Sequence, residues 1–189
     1  EWNFVVANLT TPANIFHALR RQVKWEFRKP LVIFSPKSLL RHPDCVSSVK
    51  ELAEGSFQEI IDDADVKAPE VKRLVMCSGK IFYELKARQK KEGRTDLAIV
   101  RLEQLYPMPE EQSRQIIAKY KGAEKVWIQE EPKNMGAFTF LRRYEHFNEF
   151  KLVARKSSAS PATGYASVHA QEQKALLDTV FSNDKIESV

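Results

Sequence analysis

Two adjacent carboxylates, Glu130 and Glu131, stand where an α/β protein could carry out chemistry. They follow a predicted strand at residues 125–129 and precede a predicted helix. In open α/β sheets, ligands bind beyond the carboxyl ends of the strands, so these acids could face an active-site cleft or a dimer interface. The alternative is a solvated loop in which Asn134 caps the next helix. The sequence alone favours neither interpretation over the other.

A basic segment between Pro36 and Pro43 is a second candidate. Its side chains could bind an anion or the carboxylates of a neighbouring chain, because charged donors form strong hydrogen bonds to such groups. An exposed turn after a strand explains the same segment equally well. The residues predicted to face an interface or a cleft are therefore Lys37, Arg41, His42, Glu130 and Glu131.

The tripeptide Ser78-Gly79-Lys80, after a predicted strand, resembles a phosphate-binding turn only superficially. It lacks the first glycine and the spacing of a Walker loop, whose backbone amides hold the phosphate. A plain strand-to-helix turn is the favoured interpretation, although a helix N-terminus there could still hold an anion.

Metal and nucleophile chemistry have little support in the sequence. The four histidines, at positions 17, 42, 146 and 169, have no neighbours at ligand spacing. A G-x-S-x-G motif is absent, and Cys45 and Cys77 occupy no visibly electropositive turn. The sequence therefore predicts no catalytic, no cofactor-binding and no metal-binding residue, and a standalone hydrolase or transferase is disfavoured.

The elements that must position these residues alternate between strand and helix from residue 71 onward. Strands are predicted at residues 72–77, 96–102, 125–129 and 150–155. Helices are predicted at residues 81–88, 110–120, 135–147 and 167–181, the last capped by Ser167. This alternation indicates an α/β fold, a three-layer α/β/α sandwich with a mostly parallel, mixed sheet, over residues 71–182.

The remaining residues divide into three predicted pieces. Residues 1–36 form strand, helix and strand, with Thr-Thr-Pro as the helix start, and have too little core to stand alone. Residues 37–70 are a linker with local helix at 47–53 and a short strand near 57–61. Residues 183–189 are a frayed tail. The chain opens at Glu1 directly into the first strand, as if cut from a longer protein.

Composition excludes several classes of protein. The 30 basic and 25 acidic residues are interleaved, so the net charge of +5 forms no one-sided stripe for nucleic acid. The longest apolar run, residues 31–34, is far too short for a membrane helix. No secretory leader is visible, and two widely spaced cysteines fit a reducing compartment.

Seven segments, in order, resemble the C-terminal stretch of the decarboxylating component of 2-oxoglutarate dehydrogenase. They include SPKSLLRHP, QEEPKNMG and SPATG, and the resemblance runs from about Trp2 to Phe181. The segments are residues 11–22, 28–31, 35–43, 77–83, 99–107, 129–136 and 160–164. A relative that acts on 2-oxoadipate shares most of these segments. The sequence therefore leaves the choice between 2-oxoglutarate and 2-oxoadipate open.

The resemblance implies a transketolase-like C-terminal domain at residues 71–182, preceded by the end of a pyrimidine-binding domain at residues 1–36. It implies a homodimer, contacts with upstream domains of the same enzyme, and a lipoyl-bearing succinyltransferase core as partner. The family uses thiamine diphosphate and magnesium to decarboxylate 2-oxoglutarate in the citric acid cycle, and then succinylates the lipoyl group. The expected location is the bacterial cytoplasm or the mitochondrial matrix.

The sequence departs from the family at the cofactor. The Gly-Asp-Gly segment that holds magnesium diphosphate is absent, and the family's catalytic glutamate and histidines lie in segments upstream of Glu1. No catalytic residue is therefore carried over. This portion alone is expected to be inactive and to hold no cofactor; its expected role is structural and dimerising.

A regulatory site is the last expectation from the resemblance. Some relatives bind acetyl-CoA where the two domains meet, and Arg21 and Gln104 match residues of that site. Basic residues expected nearby are replaced by Glu111 and Gln112, which would remove phosphate contacts. A freestanding module that binds a CoA ester or another anion, using Arg20, Arg21 and residues 78–80, is the rival hypothesis.

Overall fold

Two sheets organise the computed structural model, which describes residues 3–186. Predictions that concern residues 1, 2 and 187–189 lie outside the described residues. The strands are β1 (Val5–Asn8), β2 (Leu31–Phe34), β3 (Ile60–Ile61), β4 (Arg73–Cys77), β5 (Leu97–Leu102), β6 (Gln104–Tyr106), β7 (Glu124–Pro132) and β8 (Lys151–Arg155). The α-helices are α1 (Pro12–Lys24), α2 (Val49–Glu54), α3 (Ile81–Glu92), α4 (Glu110–Lys119), α5 (Phe138–Leu141) and α6 (Ala166–Phe181), and 3₁₀ helices span Lys37–Arg41, Ala68–Glu70 and Glu145–Phe147.

The larger sheet has the strand order β3-β5-β4-β7-β8. Strands β5, β4, β7 and β8 pair in parallel, while β3 adds an antiparallel edge. Parallel neighbours require long crossover connections, and the segments that contain α3, α4 and α5 supply them. The predicted α/β class with a mostly parallel, mixed sheet is confirmed.

Helices cover both faces of the larger sheet, so the fold has three layers. Successive strand side chains point to opposite faces, and those of β4 divide accordingly. Leu74 and Met76 join a core that α4 and α5 complete. Val75 and Cys77 join a second core, which α3 and α6 complete. Alternate side chains of a strand that is buried on both faces therefore supply the two cores of the predicted sandwich.

The smaller sheet has the order β2-β1-β6. β1 and β2 are parallel and are joined by α1, whose first turn is capped because the Thr11 hydroxyl accepts a hydrogen bond from the Asn14 amide at 3.2 Å. Ala7 and Leu9 pack against Ala18 of α1. β6 is antiparallel to β1 and was not predicted, because three residues are too few to show a period.

A buried carboxylate joins the two sheets. Glu103 is the single residue between β5 of the larger sheet and β6 of the smaller one, and it is 0% exposed. Its oxygens accept hydrogen bonds from the Thr10 amide at 2.8 Å, the Thr10 hydroxyl at 2.5 Å and the Asn14 side-chain amide at 2.9 Å. Its own carbonyl accepts from the Asn8 amide at 2.8 Å. Burial raises the pKa of this carboxyl.

Two predicted helices differ from the structure. The helix predicted at residues 135–147 is instead a four-residue α5 followed by a 3₁₀ turn, and β7 continues to Pro132. The apolar residues that suggested it recur every three positions, which is the period of 3₁₀ turns rather than of an α-helix. In the last helix, Ser167 lies inside the first turn, and the N-cap position is Tyr165, which makes no capping hydrogen bond.

Arg73 fixes the chain after α6. This buried side chain donates to the carbonyls of Val180 at 2.6 Å, Ser182 at 2.8 Å and Asp184 at 2.7 Å. Ile186 is buried, and its amide donates to the Glu124 carboxylate at 2.9 Å. Residues 183–186 of the predicted tail are therefore held at the amino ends of β4 and β7. The predicted domain boundaries remain predictions.

The Glu103 contact leads to a stability prediction. The substitution Glu103→Ala should lower the free energy of unfolding by about 2–4 kcal/mol, since it leaves buried donors on Thr10 and Asn14 unpaired. Glu103→Gln should cost less than half as much, because the amide oxygen can take over those donors while the amide nitrogen faces the Thr10 hydroxyl. Urea denaturation of the wild type and of the two variants measures the order of their free energies of unfolding. Equal losses for Ala and Gln would contradict this account.

Candidate functional site

A cleft of about 870 Å³ lies between the smaller sheet and one end of the larger sheet. Its first wall comes from β1, β2 and β6, and its second from the ends of β4 and β7 and from α5. The lining residues of the cleft are Phe4, Val6, Asn8, Phe34, Ser35, Pro36, Ser78, Lys80, Leu105, Tyr106, Trp127, Gln129, Glu130, Glu131, Gly136, Ala137, Phe140 and Arg143.

The position of the cleft follows from the strand order. From β4 the chain moves to β5 on one side, and it later returns to β7 on the other side. The connections therefore leave the β4–β7 pair in opposite directions, and the crevice at the carboxyl ends of such a pair is where open α/β sheets bind ligands. Ser78 and Lys80 follow β4, and Glu130 and Glu131 belong to the end of β7.

An ion pair between Lys80 and Glu130 forms the polar floor of the cleft. Lys80 is the N-cap residue of α3, and no side chain caps this helix by hydrogen bonding. Its side chain extends instead to the Glu130 carboxylate, with which it forms an ion pair. The one charged side chain of the Ser78-Gly79-Lys80 turn is thus already paired with a carboxylate of the protein itself.

Gln129 organises the second wall, and the sequence did not single it out. Its side-chain amide nitrogen donates to the carbonyls of Met135 at 2.7 Å and Pro132 at 3.2 Å, while its oxygen accepts from the Trp127 indole at 3.1 Å. Gly136 has a φ of 75°, and a Cβ there would lie 2.7 Å from the Gln129 amide nitrogen. Only glycine therefore fits this turn without strain.

The two groups of predicted interface residues lie apart. Glu130 and Glu131 line the cleft, and Glu131 is exposed. Lys37 and Arg41 are exposed on the 3₁₀ helix that follows β2, and only the preceding Ser35 and Pro36 reach the cleft. Across the described residues, no ion pair joins the basic segment to the two glutamates.

His42 has a local role. Its ring packs on Tyr83 with the two ring centroids 4.6 Å apart, and its Nδ1 accepts a hydrogen bond from the Asp44 amide at 3.2 Å. The histidine thus holds the end of the basic segment against α3. It does not face the cleft.

Arg21 and Gln104, the two residues predicted for a regulatory anion, are in direct contact. The Arg21 guanidinium donates to the Gln104 side-chain oxygen at 2.7 Å and lies 3.4 Å from the Glu59 carboxylate. It also stacks on Phe57, with its central carbon 3.9 Å from the ring centroid. Gln112 donates to the other Glu59 oxygen at 2.9 Å. Glu59 therefore already compensates the charge of Arg21.

A serine–histidine pair joins α4 to the 3₁₀ helix at Glu145–Phe147. The sequence did not suggest this pair. The Ser113 hydroxyl donates its proton to the Glu110 carbonyl at 2.7 Å. His146 Nε2 lies 2.7 Å from the Ser113 hydroxyl oxygen, and it must be the donor in that contact because the hydroxyl has no second proton. A nucleophilic serine needs the opposite arrangement, with its proton directed at the base. Ser113 is also fully buried. The pair is structural.

Other reactive groups are enclosed or dispersed. Burial raises the pKa of the Cys77 thiol to about 12, which removes the thiolate needed for reaction. Residues 3–186 contain no group of three or more His, Cys, Asp or Glu side chains placed to hold a metal ion. In the same part of the chain, no helix has the length and hydrophobicity to span a membrane.

The residues of the cleft do not fit a magnesium diphosphate. Glu130 is committed to Lys80, and Glu131 stands at the exposed rim with no second free carboxylate among the cleft residues. Magnesium in such sites takes carboxylate and phosphate oxygens together in an octahedral arrangement. The cleft offers no such ligand set, and of the two cations among its lining residues Lys80 is paired with Glu130, while Arg143 is exposed.

Comparison with known proteins gives a consistent result. Residues 46–181 match the family described as 2-oxoglutarate dehydrogenase C-terminal. The chain is 47% identical to the mitochondrial 2-oxoglutarate dehydrogenase of Caenorhabditis elegans over 98% of its length and 19% of that protein. It is 46% identical to the 2-oxoglutarate dehydrogenase E1 component of Azotobacter vinelandii, over 96% of the chain and 20% of that protein.

A relative that is named for another substrate is also similar to this chain. The probable 2-oxoadipate dehydrogenase complex component E1 homolog of Dictyostelium discoideum is 41% identical over 96% of the chain and 21% of that protein. The chain thus spans about a fifth of the length of each of these relatives.

The serine–histidine pair leads to a pH prediction. Burial, and then the charge of Arg114, lower the pKa of His146 from its ordinary value of 6.5, against the opposing charges of Glu110 and Glu145. The unfolded chain therefore takes up this proton first as the pH falls, and stability is lost below about pH 6.5. His146→Gln retains an N–H donor for Ser113 without titrating.

Urea titrations of the wild type and of His146→Gln, at about pH 7.5 and about pH 5.5, measure this effect. The wild type should lose more free energy of unfolding on acidification than the variant does. Equal losses in both proteins would show that His146 does not carry the pH dependence.

Proposed function

The chain belongs to the 2-oxoglutarate dehydrogenase C-terminal family, and from that premise we propose that it is the C-terminal portion of an enzyme that oxidatively decarboxylates 2-oxoglutarate. The observation that carries the proposal is an identity of 46% over almost the whole chain to an E1 component of that name. The complete enzyme uses thiamine diphosphate and magnesium and transfers a succinyl group to a lipoyl carrier. It works in the mitochondrial matrix of a eukaryote or in the cytoplasm of a bacterium.

This portion has a structural part in that activity. It contains no Gly-Asp-Gly segment, and its cleft has a neutralised floor rather than a set of magnesium ligands. The cofactor and the groups that act on the substrate therefore belong to the remaining four-fifths of the enzyme. Residues 1–189 complete the homodimer and support the cofactor-binding domains, and they are inactive alone.

The domain organisation follows the sequence boundaries. Residues 71–182 form the transketolase-like C-terminal domain, residues 37–70 are the linker, and residues 1–36 are the end of the pyrimidine-binding domain. Support for the last assignment comes from the outer face of α1, where Phe16, Leu19 and Val23 are exposed at helical spacing and Val23 is 74% exposed. An apolar outer face fits a helix that is interior to a larger domain.

The predicted interface residues receive distinct roles. Lys37 and Arg41 are exposed cations that contact carboxylates of the second subunit or of the lipoyl-bearing succinyltransferase core. Glu130 and Glu131 face the cleft, where Glu130 neutralises Lys80 and Glu131 remains available to a partner.

A second candidate substrate is 2-oxoadipate. It is favoured by the similarity to the Dictyostelium discoideum relative, which is 41% identical over the same region. Because the cleft carries no substrate-binding constellation, this portion does not decide between the two acids. The substrate preference therefore resides upstream.

A chimeric enzyme tests the proposed function. Residues 1–181 replace the corresponding segment of the Azotobacter vinelandii E1 component, and turnover of 2-oxoglutarate and of 2-oxoadipate is measured. We expect at least about one tenth of the parent kcat/KM for 2-oxoglutarate, since a tenfold loss corresponds to only about 1.4 kcal/mol. The substrate ratio should equal that of the parent.

The controls are the parent truncated before this segment and the isolated chain of residues 1–189, and both should be inactive. Decarboxylation by the isolated chain would contradict the proposal. A folded, dimeric chimera without activity, with dimerisation checked by light scattering, would contradict it as well.

Regulation by acetyl-CoA is expected to be absent. Arg21 is already paired with Glu59, and Glu111 and Gln112 provide no positive charge for phosphates. We expect saturating acetyl-CoA to change the turnover of the chimera by less than about twofold, below the range typical of allosteric coupling. Glu59→Gln in the same chimera is the matched variant, because it frees Arg21 with little change in shape. A larger response of the unsubstituted chimera would contradict the pairing argument.

A further inference from the structure

A smaller cavity, of about 370 Å³, lies where the segments before and after β3 meet α3 and β5. It shares no lining residue with the cleft. We call it the Arg101 cavity, after the residue of β5 that lines it together with Phe82 of α3 and Asp44 of the segment before α2. Its volume is within the range of about 300–1,000 Å³ that is typical of small-molecule sites.

The Arg101 guanidinium is held in place without an ion pair in the described part of the chain. Its Nη1 donates a hydrogen bond to the Thr10 hydroxyl oxygen at 3.0 Å, and its central carbon lies 3.9 Å from the centroid of the Phe82 ring. Its Nε is buried, and neither Nε nor Nη2 has a hydrogen-bond partner among residues 3–186. These two donors form one edge of the guanidinium, and such an edge matches the two oxygens of a carboxylate. A fixed and unsatisfied donor edge beside a cavity indicates a site for a carboxylate ligand.

Two carboxylates from the region around the start of α2 line the same cavity. Asp44 is exposed, and no basic side chain among the described residues forms an ion pair with it. Glu51 accepts hydrogen bonds from the Ser48 amide at 2.6 Å and from the Ser48 hydroxyl at 2.8 Å, neither of which carries a positive charge. These hydrogen bonds lower the pKa of Glu51, and the charge of Arg101 acts in the same direction without contact between the two groups. The Arg101 cavity therefore holds uncompensated charges of both signs.

The charge balance of the Arg101 cavity disfavours a ligand of a single sign. Three cations and five carboxylates line it, and Lys86 already pairs with Asp63 at 2.7 Å and with Asp65 at 2.9 Å. A simple anion would reach Arg101 but would meet an excess of negative charge, whereas a simple cation would reach Asp44 but would face Arg101. A ligand with both a carboxylate and an ammonium group suits both kinds of charge. The remaining lining includes the apolar side chains of Val46, Ile61, Phe82 and Ile99.

We propose that the Arg101 cavity binds a free α-amino acid with an aliphatic side chain. The carboxylate of the ligand accepts hydrogen bonds from Nε and Nη2 of Arg101, its ammonium group meets Asp44 and Glu51, and its side chain lies on the apolar lining. Such a ligand joins the segment before α2 to the end of β5, and it stabilises the contact between them because it binds only the folded arrangement. The site needs only residues of this chain, so it stands apart from the proposed function.

Calorimetric titration of the full-length enzyme with matched probes tests the class of ligand. The probes are L-leucine, 4-methylpentanoate, which is leucine without its ammonium group, and 3-methylbutylamine, which is leucine without its carboxylate. We expect L-leucine to bind with a Kd below about 10 mM, a weak affinity that suits a small ligand. It should bind at least about tenfold more tightly than either other probe, because each of them lacks one charged contact. Absence of leucine binding, or equal binding of 4-methylpentanoate, would overturn the proposal.

Three variants of the full-length enzyme assign the contacts. Arg101→Lys keeps the charge but loses the two-donor edge, so leucine should bind at least about tenfold more weakly. Asp44→Asn removes one exposed carboxylate and should weaken binding by about twofold to fivefold, the range of an exposed ion pair. The matched control is Asp65→Asn, which removes an exposed carboxylate of the same cavity that already pairs with Lys86, and it should leave the affinity unchanged.

Thermal melting checks that each variant is folded. If Arg101→Lys does not fold, Asp44→Asn decides, because its exposed side chain makes no contact on which the fold depends. An affinity for leucine that Asp44→Asn leaves equal to that of Asp65→Asn would overturn the proposal.

Alkylation of Cys45 locates the bound amino acid. This free thiol is half-buried beside Asp44, and its Sγ donates to the Thr10 carbonyl at 3.3 Å. A ligand that ties its segment to β5 suppresses local opening, so saturating leucine should slow alkylation of Cys45 at least about threefold. Mass spectrometry of the Cys45 peptide from the full-length enzyme measures the rate, and 4-methylpentanoate at the same concentration is the control. An unchanged rate with leucine would place the ligand elsewhere and overturn the proposal.

Discussion

The buried carboxylate of Glu103 is the constraint on which the relation of the two sheets depends. One residue separates β5 from β6, so the chain passes from the larger sheet to the smaller sheet with almost no slack. The acceptor oxygens of this residue hold the start of α1, and its carbonyl holds the end of β1. The two sheets are therefore joined directly at this corner, through both the chain and the hydrogen bonds of Glu103.

The chemistry of the cleft is consistent with a supporting portion of an enzyme. The strand order creates a crevice of the kind in which open α/β sheets bind ligands, yet Glu130 already neutralises Lys80 on its floor. The same pattern recurs at Arg21, whose charge Glu59 compensates. In both places a protein carboxylate compensates the charge of a basic side chain, and the resulting ion pair joins two segments of the fold.

The parts of the fold that the sequence predicts are those governed by local periodicity. The alternation of strands with helices after residue 71 and the helix start at Thr11 were both legible without a structure. The missed features depend on partners distant in sequence: β6 exists because β1 lies beside it, and Gln129 matters because the turn at Gly136 folds onto its amide. The choice of Arg21 and Gln104 came from the family resemblance, and Glu59, which completes that cluster, lies in the predicted linker.

The pairing of β1 with β6 has a consequence for the order of folding during synthesis. Thr10 and Glu103, which flank this junction, are 93 residues apart in the sequence. Contacts of such long range form late, because the intervening loop must close before they contribute. A ribosome must therefore release β6 before the sheet that contains β1 can reach its final width. Residues 1–36 would wait, with an unpaired edge of β1, until residues far beyond them in the sequence have been synthesised.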